Sequence, residues 1–193
     1  MSRFLDALRS GRVLLMDGAM GTELQRAGLK PGECGELWNI TQPEKVRAIH
    51  QAYVDAGAEV LLTNTFQANP AALARHNLDG QLGMICQVAV DLARAAAGPD
   101  RWVLADLGPC PSEEEFAALP SFIHALAAAG PDGFLVETCS NPNTAFSVLK
   151  LLHGNWREAM PLLVSFTYRH DRDNQVRTFG GLSARKMVRW VES

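Results

Sequence analysis

Residues Val13 to Leu24 read V-L-L-M-D-G-A-M-G-T-E-L. A short apolar run, Val13 to Met16, stops at one carboxylate, Asp17, and Gly18 and Gly21 follow. Continuous apolar runs of this length suit a strand covered on both faces, as in parallel sheets. The stretch is therefore expected to be a buried strand that ends in a tight turn, with a helix starting near Thr22. Asp17 would sit at the C-terminal mouth of that strand, where parallel α/β folds carry their chemistry. Gly18 and Gly21 would let the backbone approach a ligand and present its N–H groups. The plainer alternative is a strand closed by an ordinary Asx turn.

Working outward, the same unit recurs. Phe4 to Leu8 reads as a short amphipathic helix able to plug one end of a barrel. Thr22 to Ala27 reads as a helix closed by Gly28. Leu29 to Thr41 reads as a long loop, of a length that is often functional in compact domains. Thr41 and Pro43 suit the start of a helix over Glu44 to Ala56, with Val46, Ile49, Tyr53 and Val54 on one face. Strands are expected at Glu59–Thr63, Trp102–Ala105, Gly133–Val136 and Leu162–Phe166. Helices are expected at Pro70–His76, Leu82–Ala97, Ser112–Ala129 (broken at Pro120), Asn143–Leu152 and Ser183–Val191, the last after a polar excursion from Tyr168 to Arg177. Strand and helix alternate five times, which argues an α/β fold with a parallel sheet. Periodicity leaves open whether that sheet is doubly wound or most of a (β/α)₈ barrel.

Composition narrows the function classes. The 193 residues fit one domain with a real core, spanning 1–193, and the formal charge is −3. No basic stripe argues for nucleic acid, and no polybasic helix or long apolar run argues for a membrane. No G-x-G-x-x-G follows a strand, which speaks against a dinucleotide site. The N-terminus lacks the apolar core of a secretion signal. Cys34, Cys86, Cys110 and Cys139 form no CxxC pair, so free thiols in a reduced, cytoplasmic setting are expected.

If the sheet is parallel, Asp17, Asn64-Thr65, Asp106, Glu137 and Thr167 all reach one rim. Two carboxylates and an amide converging there could hold the ammonium of an amino acid, while glycine-rich N–H groups hold its carboxylate. Each has a plainer role available. Asp17 and Glu137 could cap the following helix, and Asn64 could stabilise a turn. Trp38 and Phe66 suit core or rim packing. His50 and His76 are expected on solvated helix faces, and His124, His153 and His170 show no metal spacing. Cys110 and Cys139 lie just past strand ends, where a buried thiol usually acts as a small hydrophobe.

The quoted stretch, with E-L-W-N-I-T-Q-P-E-K-V, A-G-A-E-V-L-L-T-N-T-F-Q-A-N, L-G-P, F-L-V-E-T and L-V-S-F-T, resembles the homocysteine S-methyltransferase family. The likeness runs through nearly the whole chain. It implies a (β/α)₈ barrel, here truncated to about the first five β/α units. It also implies methyl transfer to the homocysteine thiol, giving methionine. By position, Asp17 and Glu137 resemble the residues that hold the homocysteine amino group. Gly18 and Ala19 resemble the backbone around its carboxylate, and Asn64 joins them at the rim. The family implies zinc held by three cysteines, one ending strand six and a pair after strand eight. None of the four cysteines here matches those positions, so neither a metal ligand nor a catalytic residue is assigned. The expectation is therefore a family member inactive by itself, or alternatively a zinc-free amino-acid-binding or assembly module. An arc of five strands leaves edges open, so a homo-oligomer or a complementing chain is expected.

Overall fold

Four parallel strands form the sheet of the computed structural model, which describes residues 3–155 and 160–191. In chain order the elements begin with α1 (Arg3–Arg9), α2 (Met20–Arg26), α3 (Trp38–Thr41) and α4 (Pro43–Asp55). Then come β1 (Val60–Leu62), α5 (Pro70–Ala74), a 3₁₀ turn, α6 (Leu82–Ala97) and β2 (Trp102–Leu107). α7 (Glu113–Ala117), α8 (Leu119–Ala128), β3 (Gly133–Cys139) and α9 (Pro142–Asn155) follow. β4 (Leu162–Phe166), a small antiparallel pair β5 (Arg169–His170) and β6 (Val176–Arg177), and α10 (Ala184–Val191) complete the set.

The order in the sheet is β1-β2-β3-β4, identical to the order in the chain, and every pairing is parallel. A doubly wound sheet reverses its order at a switch point; these strands do not. Strand pleating divides the side chains. Leu61, Val103, Ala105, Leu107, Phe134 and Val136 pack into clusters with α4, α6, α8 and α9. Val60, Leu62, Trp102, Leu104 and Leu163 face the other way, and Phe4 of α1 fills their lower end, its ring 5.9 Å from that of Trp102. With both faces covered, the strands read as continuous apolar runs.

The opening stretch is where expectation and structure part. Val13 to Met16 is not a covered strand. Only Met16 bridges to Val60, while Val13 is 89% and Leu15 55% exposed. The segment lies along the outer edge of β1, where Leu15 C=O accepts from Glu59 and Val60 N–H and Asp17 N–H donates to Val60 C=O at 2.9 Å. An apolar run announces a strand but not how many neighbours it has. Thr41 likewise does not cap α4. It ends α3, its hydroxyl donating to Leu37 C=O, and Gln42 precedes Pro43. The long loop before α4 thus contains a short helix that the sequence reading left unstructured.

Candidate functional site

The strand mouths open into one cavity of about 950 Å³. Asp17, Gly18, Ala19, Asn64 and Glu137 all line it, joined by Asp106, Glu36, Glu33 and Phe66. Asp106 and Glu137 sit on the inward pleat of β2 and β3, in line with Leu104 and Leu135 below them. Leu163, Val164 and Ser165 of β4 close one side. Thr167 is not part of the lining; its N–H donates to Cys139 C=O and extends the sheet.

Each acidic residue is held differently. Asp17 does not cap a helix. Its Oδ2 accepts from Leu62 N–H at 2.9 Å across the edge of the sheet, and its buried Oδ1 has no partner among the described residues. Burial pushes this carboxyl up to about 7, with the charge of Glu137 adding to the rise and the Leu62 N–H opposing it. Glu137 lies in a bulge: two residues, Glu137 and Thr138, lie between the Val136–Val164 and Cys139–Phe166 pairings, where β4 has one. Thr138 takes φ +52°, a strained value for a β-branched residue. Such bulges re-aim side chains beside sites. Burial raises the Glu137 carboxyl, and a hydrogen bond from Asp106 opposes that rise.

Asp106 is the most enclosed, at 5% exposure. Burial, then the charges of Glu137, Asp17 and Glu36, hold its carboxyl well above the usual carboxylate range. Glu36, which the sequence reading did not single out, is buried too. Its Oε1 accepts from Gln67 N–H at 2.8 Å and its Oε2 from Cys34 Sγ at 3.5 Å. It fastens the loop before α3 to the rim. Asn64 does the same work. Its Nδ2 donates to Gly35 C=O at 2.9 Å and to Asn39 Oδ1 at 3.0 Å, while Asn39 Nδ2 donates to Asn64 C=O.

The glycines behave unequally. A Cβ on Gly18 would press on the Tyr53 ring and hydroxyl, whereas nothing lies within 4 Å of one on Gly21. Gly18 thus answers to Tyr53, whose hydroxyl also donates to Ala19 C=O at 3.3 Å, and Gly21 has no steric requirement. Trp38 is core, with Lys45 Nζ 4.6 Å from its ring centroid. Phe66 is both rim and lining. His50 is the clear correction: it is fully buried, not solvated, and neither ring nitrogen is hydrogen-bonded among the described residues. His76, in the turn after α5, is exposed, as are His124 and His170. The side chain of His153 lies outside the described residues.

The thiols do not fit a zinc site. Burial pushes Cys34 and Cys110 up to about 11 and Cys86 up to about 12, and it raises Cys139 as well. Cys110 and Cys139 are instead occupied with Asn69 and with the Asn141 carbonyl. Among the described residues no three His, Cys, Asp or Glu side chains are grouped to hold a metal.

The lining thus combines five carboxyl groups with no Lys, Arg or His. Such a hollow suits a ligand that brings a positive charge and several N–H donors. Comparison with known proteins shows the family. The family model for homocysteine S-methyltransferase matches residues 14–193. Methionine synthase of Mycobacterium tuberculosis (strain ATCC 25618 / H37Rv) is 35% identical over 158 residues, 71% of this chain. That of Mycobacterium leprae (strain TN) is 32% identical over 157 residues, 67% of this chain. The chain spans only 13% and 12% of the length of these two curated relatives. Among solved structures, homocysteine methyltransferase MmuM from Escherichia coli, in its metallated form, superposes with a TM-score of 0.77 at 28% identity. That match covers 97% of this chain and 73% of the other; the apo form gives 0.73 at 27% identity, covering 97% and 71%.

Proposed function

Since the chain belongs to the homocysteine S-methyltransferase family, we propose that its cavity binds homocysteine as the acceptor of a methyl group, the product being methionine. The observation that carries this reading is the acidic hollow itself, with the unpartnered Oδ1 of Asp17 at its wall. An ammonium supplies three N–H donors and one positive charge, which answers both the orphaned oxygen and the crowding of like charges. Asp17 and Glu137 take the amino group in this reading. The backbone at Gly18 and Ala19 takes the carboxylate. Asn64 is a positioning residue, because its amide hydrogens are spent on Gly35 and Asn39.

The five parallel segments, in chain order with helices on one face, are read as an arc of a (β/α)₈ barrel. Zinc would hold the substrate sulfur as a thiolate nucleophile, but the residues described here do not fit that ion. This segment is therefore assigned binding and orientation of the amino acid, and thiol activation is left to residues outside it. The open edge of β4 and the exposed Val13–Leu15 edge are read as surfaces for a second copy or a complementing chain.

Calorimetry tests the reading. The protein is expected to bind L-homocysteine and to make no methionine by itself. Asp17→Ala should abolish binding; unchanged affinity in that variant would refute the assignment.

A further inference from the structure

Asp106 lines the hollow in an unusual setting. Its backbone is pinned from both sides: the N–H donates to Thr63 Oγ1 at 3.0 Å and the C=O accepts from Thr65 Oγ1 at 2.7 Å. The two threonine hydroxyls are themselves 2.6 Å apart. Pleating on β2 then aims the side chain inward, above Leu104. Its carboxyl faces that of Glu137. The residue lines the cavity, and its buried Oδ1 has no partner among the described residues.

The groups facing it are Glu137 from β3, Asp17 from the segment beside β1, and Glu36 from the loop before α3, all acidic. Glu36 is committed to Gln67 N–H and Cys34. Asp17 Oδ2 is committed to Leu62 N–H. Two carboxyl oxygens thus stay buried and unpartnered among the described residues, one on Asp17 and one on Asp106, and both belong to the same hollow. A water-filled hollow would leave three or four like charges crowded together in a low-dielectric pocket, so the cluster keeps a proton. Asp106 is the more deeply buried of the facing pair, and burial with the charge of Glu137 holds its carboxyl well above the usual carboxylate range.

We propose that Asp106 is a third carboxyl of the ammonium site, accepting one ligand N–H on Oδ1 and releasing to solvent the proton it shares with Glu137 when the ligand binds. This rests on the reading that the ligand carries an ammonium group. The balance is simple. The ammonium keeps its three hydrogens, one proton passes from the Asp106–Glu137 pair to the buffer, and no bond in the ligand changes. Selectivity follows. A ligand without the positive charge cannot displace the proton, and it leaves both orphaned oxygens unpaired.

L-Methionine is the probe of choice, because it offers the same ammonium without a titrating thiol. Its binding is measured by calorimetry at pH 7 in phosphate and in Tris, whose different ionisation heats report the protons released. The wild-type protein is expected to release about one proton more than Asp106→Asn, which keeps the size and the hydrogen bond to Glu137. Asp106→Leu, lacking the acceptor, should bind at least roughly tenfold more weakly. If Asp106→Leu fails to fold by thermal melting, the proton count of Asp106→Asn decides. Equal proton release and equal affinity in both Asp106 variants, with binding still lost in Asp17→Ala, would overturn this proposal and leave the amino-acid site standing. Absence of any methionine and homocysteine binding to the wild type would overturn both.

Discussion

His50 is the residue that least resembles its sequence reading. It lies on α4 four positions after Val46 and next to Ile49, both buried. The spacing i, i+3, i+4, i+7, i+8 from Val46 therefore includes His50 on the inward stripe. The helical period carries the signal, and only the polarity of the side chain argues for solvent. Burial lowers its pKa to about 4. The folded protein therefore holds His50 neutral down to about pH 4, while the unfolded chain takes up a proton near 6.5. The stability contribution is complete above pH 6.5 and is lost as pH falls toward 4. Asp17 works in the opposite sense. Its folded pKa lies near 7 against 3.8, so its contribution is complete below pH 4 and is lost as pH rises through 7. Replacing His50 by leucine should stabilise the fold by about 1–2 kcal/mol by removing two unpaired buried nitrogens. That variant should also show a melting temperature that declines more steeply between pH 4 and 7 than the parent's, and Asp17→Asn one that declines less, since Asp106 and Glu137 still pull in the direction of Asp17. Melts of the two variants across that pH range check both, and parallel profiles for all three proteins would contradict the linkage.

At the scale of elements, the expected ends of α6 and β4 coincide with the structure, because each is a clean periodic or apolar run bounded by turn residues. The first apolar run departs from the expected covered strand for a physical reason. Residues 13–16 are as apolar as a central strand, yet one neighbour is all they have, and hydrophobicity does not count neighbours. The strand-end rule succeeded in gathering Asp17, Asn64, Asp106 and Glu137 around one hollow, since parallel strands in register must deliver their ends together. It failed for Thr167, because the bulge after Val136 shifts the register between β3 and β4. Glu36 was out of reach for such reasoning, coming from a loop whose fold depends on tertiary hydrogen bonds. The turn after β2 also carries a strict steric demand. A Cβ on Gly108 would lie 2.5 Å from the Phe66 carbonyl oxygen. Gly108→Ala is expected to cost about 1–3 kcal/mol by overpacking, visible as a lower midpoint in denaturant. A midpoint equal to that of the parent protein would show that the turn yields.

For the molecule as a whole, shape and charge make separate demands. β4 has no neighbour on its outer side among the described residues, and its side chains are only half-buried or exposed. Val13 and Leu15 add apolar surface at the opposite edge. Open edges of this kind recruit strands from other chains. Light scattering at micromolar concentration should therefore report a dimer or larger species, and a stable monomer would remove that expectation. The charge demand is the deeper one. Five carboxyl groups around one hollow, without a basic side chain among them, are an arrangement that a folded protein keeps at a cost to stability. In the present account that cost is offset when an ammonium enters. Paired calorimetric titrations with L-homocysteine and with 4-mercaptobutanoate, the same molecule without its amino group, address this directly. Homocysteine should bind and the amino-free acid should bind at least about a hundredfold more weakly, as expected when buried carboxyl groups are left unpaired; equal affinity for the two would contradict the account.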